Sequence, residues 1–345
     1  METPEFVATI EAMLQPGKGL LAMDESNPTC NRRFAKLGIP QTVEARRAWR
    51  ELIVTTPRLG EFISGAILFD ETIRQSTSGG VPFVQVLKEA EIVPGIKVDA
   101  GAIDLAGYPG EKVTEGLGGL RQRLVEYRQM GARFAKWRAV IAIGPHIPSR
   151  ACLEANAHAL ALYAALCQEA GLVPIVEPEV LMDGSHTLER CAEVTEAALH
   201  VVFSQLDRQG VVLEFLILKP NMVLPGKECP VQSAVEEVAD ATLRCLLRAV
   251  PAAVPGIVFL SGGQDPEQAA AHLNAMHVRW ETRMPWVLTF SFSRAIQQPA
   301  LDLWKGDERN IGPAQEALYY WAKCNGLARQ GRYRPEMEPA EVLYV

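Results

Sequence analysis

Eight short apolar runs, each stopped by a polar or charged cluster and separated by stretches of helical period, constrain this chain more than any other feature. They occupy residues 20–23, 63–69, 92–99, 134–141, 173–180, 213–222, 256–260 and 286–291. Runs of this length bounded by turn residues read as strands buried on both faces. Between them, residues 44–55, 84–90, 118–130, 152–170, 188–209, 234–250 and 266–277 carry helical patterns, and residues 6–14 form a short opening helix. Strict alternation of this kind implies parallel strands joined by right-handed crossovers, and eight such units close into a (β/α)8 TIM barrel; an open doubly wound sheet is the alternative. A length of 345 residues does not demand a second domain. The expectation is one barrel over residues 1–325, with residues 326–345, rich in charge and proline, as a C-terminal tail over the active-site face.

In such a barrel, chemistry gathers at the C-terminal strand ends. The first run ends in Asp24-Glu25-Ser26, the third carries Lys97, and the fourth carries Lys136 and Arg138, two residues apart and therefore on one side of the strand. On the fifth, Glu177 and Glu179 repeat that spacing with opposite charge. The sixth runs into Lys219 and stops at Pro220, which lacks the next ladder donor. Taken alone, Lys219 reads first as a strand-end lysine reaching water, and only second as an amine held in a partly dry pocket. The charged pairs on the fourth and fifth runs are likewise open to a salt-bridged, purely structural reading. Collected at one barrel mouth they take on another sense. Lys136 beside Lys219 disfavours a second ammonium, which is the logic of a lysine that condenses with a carbonyl, and Glu177 or Glu179 could then move protons. Asp24, kept ionised by neighbouring cations, could accept a substrate hydroxyl proton.

The seventh run leads into Ser261-Gly262-Gly263, where glycine lets backbone N–H groups approach an anion, and the eighth into Ser291 and Arg294. Together they read as a phosphate site, a recurrent feature after the last strands of this fold. A second phosphate could sit among Ser26, Thr29, Arg32, Arg33 and Lys97.

Several function classes are disfavoured. A formal net charge of -7 does not suit a general nucleic-acid binder. No run of about 18 apolar residues is present, so no membrane span is expected. The histidines His146, His158, His186, His200, His272 and His277 form no ligand-spaced cluster, and no glycine-rich nucleotide loop follows a strand, so neither metal nor cofactor is expected. Seven scattered cysteines without a C-x-x-C pair read as reduced thiols. With the acidic start Met1–Glu5, they point to the cytoplasm.

The stretches Leu21-Ala22-Met23-Asp24-Glu25-Ser26, Gly95-Ile96-Lys97-Val98-Asp99, Phe134-Ala135-Lys136-Trp137-Arg138, Ile175-Val176-Glu177-Pro178-Glu179, Leu218-Lys219-Pro220-Asn221-Met222, Leu260-Ser261-Gly262-Gly263-Gln264 and Thr289-Phe290-Ser291 make the chain resemble class I fructose-bisphosphate aldolase, the metal-independent Schiff-base type. The resemblance implies reversible cleavage of fructose 1,6-bisphosphate into dihydroxyacetone phosphate and glyceraldehyde 3-phosphate, and admits sedoheptulose 1,7-bisphosphate as a second substrate. It implies Lys219 as the Schiff-base lysine and Glu177 as the principal acid/base, with Asp24, Lys136 and Glu179 assisting. Ser261, Gly262, Gly263, Ser291 and Arg294 would hold one phosphate; Arg33, Ser26 and Lys97, with Arg138 nearby, would serve the other. Sugar phosphates are then the partners, and the assembly a homotetramer. Departures from the family pattern are Ser293 where glycine is common, Thr29 and Arg32 where serine and lysine are usual, and Val345 after Tyr344 where a tyrosine usually ends the chain.

Overall fold

The computed structural model describes residues 3–280 and 283–335. Helix α1 (Thr3–Met13) precedes strand β1 (Gly19–Ala22), and the remaining barrel strands are β2 (Ile63–Leu68), β3 (Val93–Lys97), β6 (Phe134–Ile141), β7 (Val173–Val180), β8 (Ile217–Leu218), β9 (Gly256–Phe259) and β10 (Val287–Phe292). All pair in parallel and close in the order β1-β10-β9-β8-β7-β6-β3-β2. The molecule is a (β/α)8 barrel. Its connecting helices are α2 (Asn27–Lys36), α3 (Val43–Val54), α4 (Asp70–Ile73), α5 (Phe83–Glu89), α6 (Leu120–Gln129), α7 (Arg150–Glu169), α8 (Leu188–Arg208), α9 (Val235–Ala249), α10 (Pro266–Trp280), α11 (Arg294–Trp304) and α12 (Ile311–Ala328).

The period of two along each strand sorts the barrel interior into layers. Near the N-terminal ends the inward residues are apolar: Leu20 and Ala22 of β1, Ile67 of β2, Phe134 of β6, Val173 and Ile175 of β7, Ile217 of β8 and Val258 of β9. Phe6, Ile10 and Met13 of α1, with Leu14, join this cluster, so the helix closes the lower end of the barrel. One or two steps further, the same parity delivers Asp24, Lys136, Glu177 and Lys219. The outward residues form a separate, larger core against the helices.

Gly95 of β3 makes room for the lower layer: a Cβ there would stand 2.2 Å from the Phe134 ring. Gly95→Ala is therefore expected to lower stability by about 3 kcal/mol through overpacking, read as a reduced urea midpoint.

Two sequence expectations need correction, and a hairpin and two helices go beyond them. The sixth run was expected to be extended over residues 213–222, yet Leu213–Phe215 is a 3-10 turn and only Ile217–Leu218 is ladder. Glu214 in that turn is exposed, and single backbone bonds continue the sheet beyond it, from Lys219 N to Val176 O at 2.8 Å and from Leu260 N to Pro220 O at 3.1 Å. An antiparallel hairpin, β4 (Gly101–Asp104) with β5 (Lys112–Glu115), is inserted after β3; its polar, glycine-rich sequence lacks the alternation that marks a strand. Helices α11 and α12 complete the barrel wall after the last strand. Residues 326–333, expected to belong to a tail, continue the barrel instead: α12 runs through Ala328 and Tyr333 is still buried. Arg329 explains why: its guanidinium donates to Leu14 O at 2.7 Å and to the carbonyls of Gln15 and Lys18, holding the end of α12 to the base of the barrel. Residues 336–345, including Tyr344 and Val345, lie outside the described residues. Among those described, no helix is long and apolar enough to cross a membrane. All seven cysteines are buried, and among the described residues none forms a disulfide.

Candidate active site

The charged layer at the C-terminal strand ends is built around one carboxylate. Glu177 on β7 places Oε1 3.2 Å from Lys219 Nζ and Oε2 3.1 Å from Lys136 Nζ. Lys136 in turn lies 2.7 Å from Asp24 Oδ2. Lys136, Glu177 and Lys219 are each 3% exposed, so the ions meet where water screens them little. Burial alone would raise the Glu177 carboxyl, but Lys136, Lys219 and Arg138 outweigh it and hold the group below its ordinary value. Asp24 follows the same logic, with Lys136 and Lys219 overcoming its burial. For Lys136 burial works the other way, and Asp24 and Glu177 prevail to keep the ammonium charged. A proton carrier within reach of two buried amines can serve addition and elimination at a carbonyl.

Two basic flanks border this core. On one side Lys97 of β3 is 2.7 Å from Asp99 Oδ1, and Arg138 is paired with Glu179. Ser26 Oγ donates to Thr29 Oγ1 at 3.1 Å at the start of α2. On the other side Ser261, Gly262 and Gly263 turn between β9 and α10, with Gly262 and Gly263 at φ +61 and +101, backbone that suits glycine. Ser291 Oγ, 1% exposed, has no hydrogen-bond partner among the described residues and faces the same space. Arg294 opens α11 beside it. The cavity between the flanks holds about 210 Å³.

All the residues proposed from the sequence line this one cavity except Gly263 and Arg32, which line an adjoining outer cleft with Arg33 and Arg294. Arg32 belongs to that outer cleft alone; its Nη2 donates to Thr29 Oγ1 at 3.0 Å. Among the described residues no group of histidine, cysteine, aspartate and glutamate is placed to hold a metal ion.

Glu25 is the principal residue that sequence reasoning left without a role. Its Oε1 accepts from Arg33 Nη1 at 2.6 Å, Ser293 Oγ at 2.7 Å and Gln297 Nε2 at 3.0 Å, and Oε2 lies 2.7 Å from Arg50 Nη1. Burial would raise Glu25, yet Arg33, Arg50 and the Ser293 hydroxyl carry it far below its ordinary value. One carboxylate thus ties α2, α3 and the β10–α11 junction together. The available signal was Arg50 itself, an arginine on the buried face of an amphipathic helix. Glu25→Ala leaves that guanidinium without a counter-charge and is expected to cost about 3–5 kcal/mol, whereas Ser293→Ala, which deletes one donor, is expected to cost about 1–2 kcal/mol, both measured by urea unfolding.

Comparison with known proteins agrees with the geometry. A family model described as class-I fructose-bisphosphate aldolase matches residues 5–343. A Xanthomonas campestris protein named as a probable fructose-bisphosphate aldolase class 1 is 59% identical over 335 residues, spanning 97% of this chain and 100% of that one. A cytosolic fructose-bisphosphate aldolase of Arabidopsis thaliana is 50% identical over 337 residues, 98% of this chain and 94% of that one. Among solved structures, the fructose-bisphosphate aldolase of Plasmodium falciparum, in a ternary complex with TRAP and a small-molecule inhibitor, superposes with a TM-score of 0.93 at 45% identity, covering 96% of this chain and 95% of that one.

Proposed function

The chain belongs to the class I fructose-bisphosphate aldolase family, and from that membership we propose the part each residue of the charged layer plays in cleaving fructose 1,6-bisphosphate. Lys219 Nζ adds to the C2 carbonyl of the open-chain ketose. Glu177, 3.2 Å away, takes one proton from Lys219 ahead of the addition; a second moves from nitrogen to the C2 oxygen to give the carbinolamine, and Glu177 returns the first to that hydroxyl, which leaves as water and gives the iminium. Asp24 then accepts the C4 hydroxyl proton, the C3–C4 bond breaks, and its electrons pass into the iminium to form an enamine. Glyceraldehyde 3-phosphate departs; protonation at C3 and hydrolysis release dihydroxyacetone phosphate and restore the amine.

Lys136, bridging Asp24 and Glu177, stabilises the negative charge that develops as the C4 hydroxyl is deprotonated. Arg138, held by Glu179, and Lys97, held by Asp99, supply fixed positive charge on the flank shared with Ser26 and Arg33. Ser261, Gly262, Gly263, Ser291 and Arg294 receive the phosphate on the other flank. Two anchored phosphates fix the chain across the reacting bond, so much of the barrier is met by positioning. Sedoheptulose 1,7-bisphosphate presents the same ketose half and the same scissile bond, and belongs to this proposal. So do a cytoplasmic location, supported by relatives named cytosolic or cytoplasmic, and the homotetramer that the resemblance implies.

The single observation carrying the mechanism is the Glu177 carboxylate set between two buried lysine amines. Incubation with dihydroxyacetone phosphate, borohydride reduction and peptide mapping tests it. The expected adduct is at Lys219; an adduct at Lys136, or none, overturns the assignment, and loss of activity to a chelator would overturn the metal-free route.

A further inference from the structure

We propose that Lys227, in the loop after β8, is a further phosphate-binding residue, meeting the substrate phosphate at Gly262–Gly263 together with Arg294. A Cβ built on Gly263 would stand 3.0 Å from Lys227 Nζ and 3.1 Å from Arg294 Nη2, so two cationic heads converge on one stretch of glycine backbone. Like charges brought together favour an anion between them, and the glycine N–H groups add donors at the same place.

The backbone carrying Lys227 is fixed in advance. Gly226 N donates to His186 O at 2.8 Å, Lys227 N to Met182 O at 2.8 Å and Glu228 N to Gly184 O at 2.9 Å, which binds the loop after β8 to the loop after β7. Gly226 also lets that approach happen, since a Cβ there would meet Gly184 O at 2.1 Å. The Lys227 ammonium lies 3.2 Å from Asp183 Oδ1, an exposed pair. Such pairs are weak, so a phosphate dianion competes for the lysine at small cost. Among the described residues no carboxylate forms an ion pair with the Arg294 guanidinium. The loop therefore begins with Lys219, the amine that takes the carbonyl, and places a second lysine eight residues later at the phosphate.

The inference rests on the aldolase reading, and the test separates the two. Wild-type turnover of fructose 1,6-bisphosphate examines the reading; the difference between wild type and Lys227 variants examines the inference. Lys227→Met is expected to raise KM for fructose 1,6-bisphosphate about 5-fold at low ionic strength with kcat changed less than about 2-fold, and to flatten the dependence of KM on salt. Lys227→Arg, which keeps the charge, is expected to restore most of the affinity, and Asp183→Asn, which removes the competing carboxylate, to lower KM. A Lys227→Met enzyme with wild-type KM and salt dependence overturns the proposal. So does a Lys227→Arg enzyme as impaired as Lys227→Met, since that outcome marks the lysine as a packing element of the loop.

Discussion

Lys219→Met is expected to abolish cleavage of fructose 1,6-bisphosphate, lowering kcat by on the order of 10⁵-fold or more, because the other buried amine, Lys136, is held as an ammonium by Asp24 and Glu177 and offers no nucleophile. Methionine keeps the length of the side chain in a site that is 3% exposed, and Glu177 retains Lys136 as its counter-ion, so the barrel should remain folded by circular dichroism. Lys219→Arg sharpens the test. It preserves a cation beside Glu177 but offers no nucleophile, and it is expected to be as inactive as the methionine variant and to give no borohydride adduct. If arginine supported turnover within about tenfold of wild type, Lys219 would be acting through its charge and the Schiff base would fall.

The next largest effect is expected at the Glu177 bridge. Glu177→Gln keeps the shape and hydrogen-bonding capacity of the side chain but removes its basicity, and should lower kcat by about 10²–10⁴-fold, with trapping of dihydroxyacetone phosphate slowed in parallel. Lys136→Met acts on the same group electrostatically. In the wild-type protein the cations hold Glu177 and Asp24 below their ordinary values, so both stay ionised as pH falls through the usual carboxylate range. Removing Lys136 withdraws the nearest cation from both. Their protonation then moves to higher pH, and the acid limb of the kcat/KM profile should move up with it. An unmoved limb would show that neither carboxylate is the titrating base. The same substitution leaves two buried carboxylates with less compensation, so a loss of about 3–5 kcal/mol in stability at neutral pH is expected beside the kinetic effect.

Much of this site was legible because strand geometry is periodic. Lys136 with Arg138 and Glu177 with Glu179 could be assigned to shared faces from spacing alone, and the order of strands brought those faces together. Glu25 was harder, since its partners Arg33, Arg50, Ser293 and Gln297 come from three separated stretches and none sits at a spacing that marks a pair. Strand six was overextended because apolar content registers burial and cannot distinguish a ladder from a 3-10 turn. The hairpin after β3 was missed for the opposite reason, since its exposed residues carry no apolar alternation. Helices α11 and α12 were passed over once the eighth strand had completed the count. Residues 326–333 read as tail because Arg329 looks like a surface charge until the carbonyls of Leu14, Gln15 and Lys18 are seen around it.

The layering of the barrel interior also bears on how such an enzyme can change over generations. Phe134, Ile175 and Ile217 lie one strand repeat, about 7 Å, below Lys136, Glu177 and Lys219 on the same inward parity. The apolar floor answers to volume and shape, while the ionic tier above it answers to the reaction. Inheritance can therefore act on the two tiers separately: substitutions in the upper one can redirect chemistry while the lower one, sealed by α1, continues to specify the barrel.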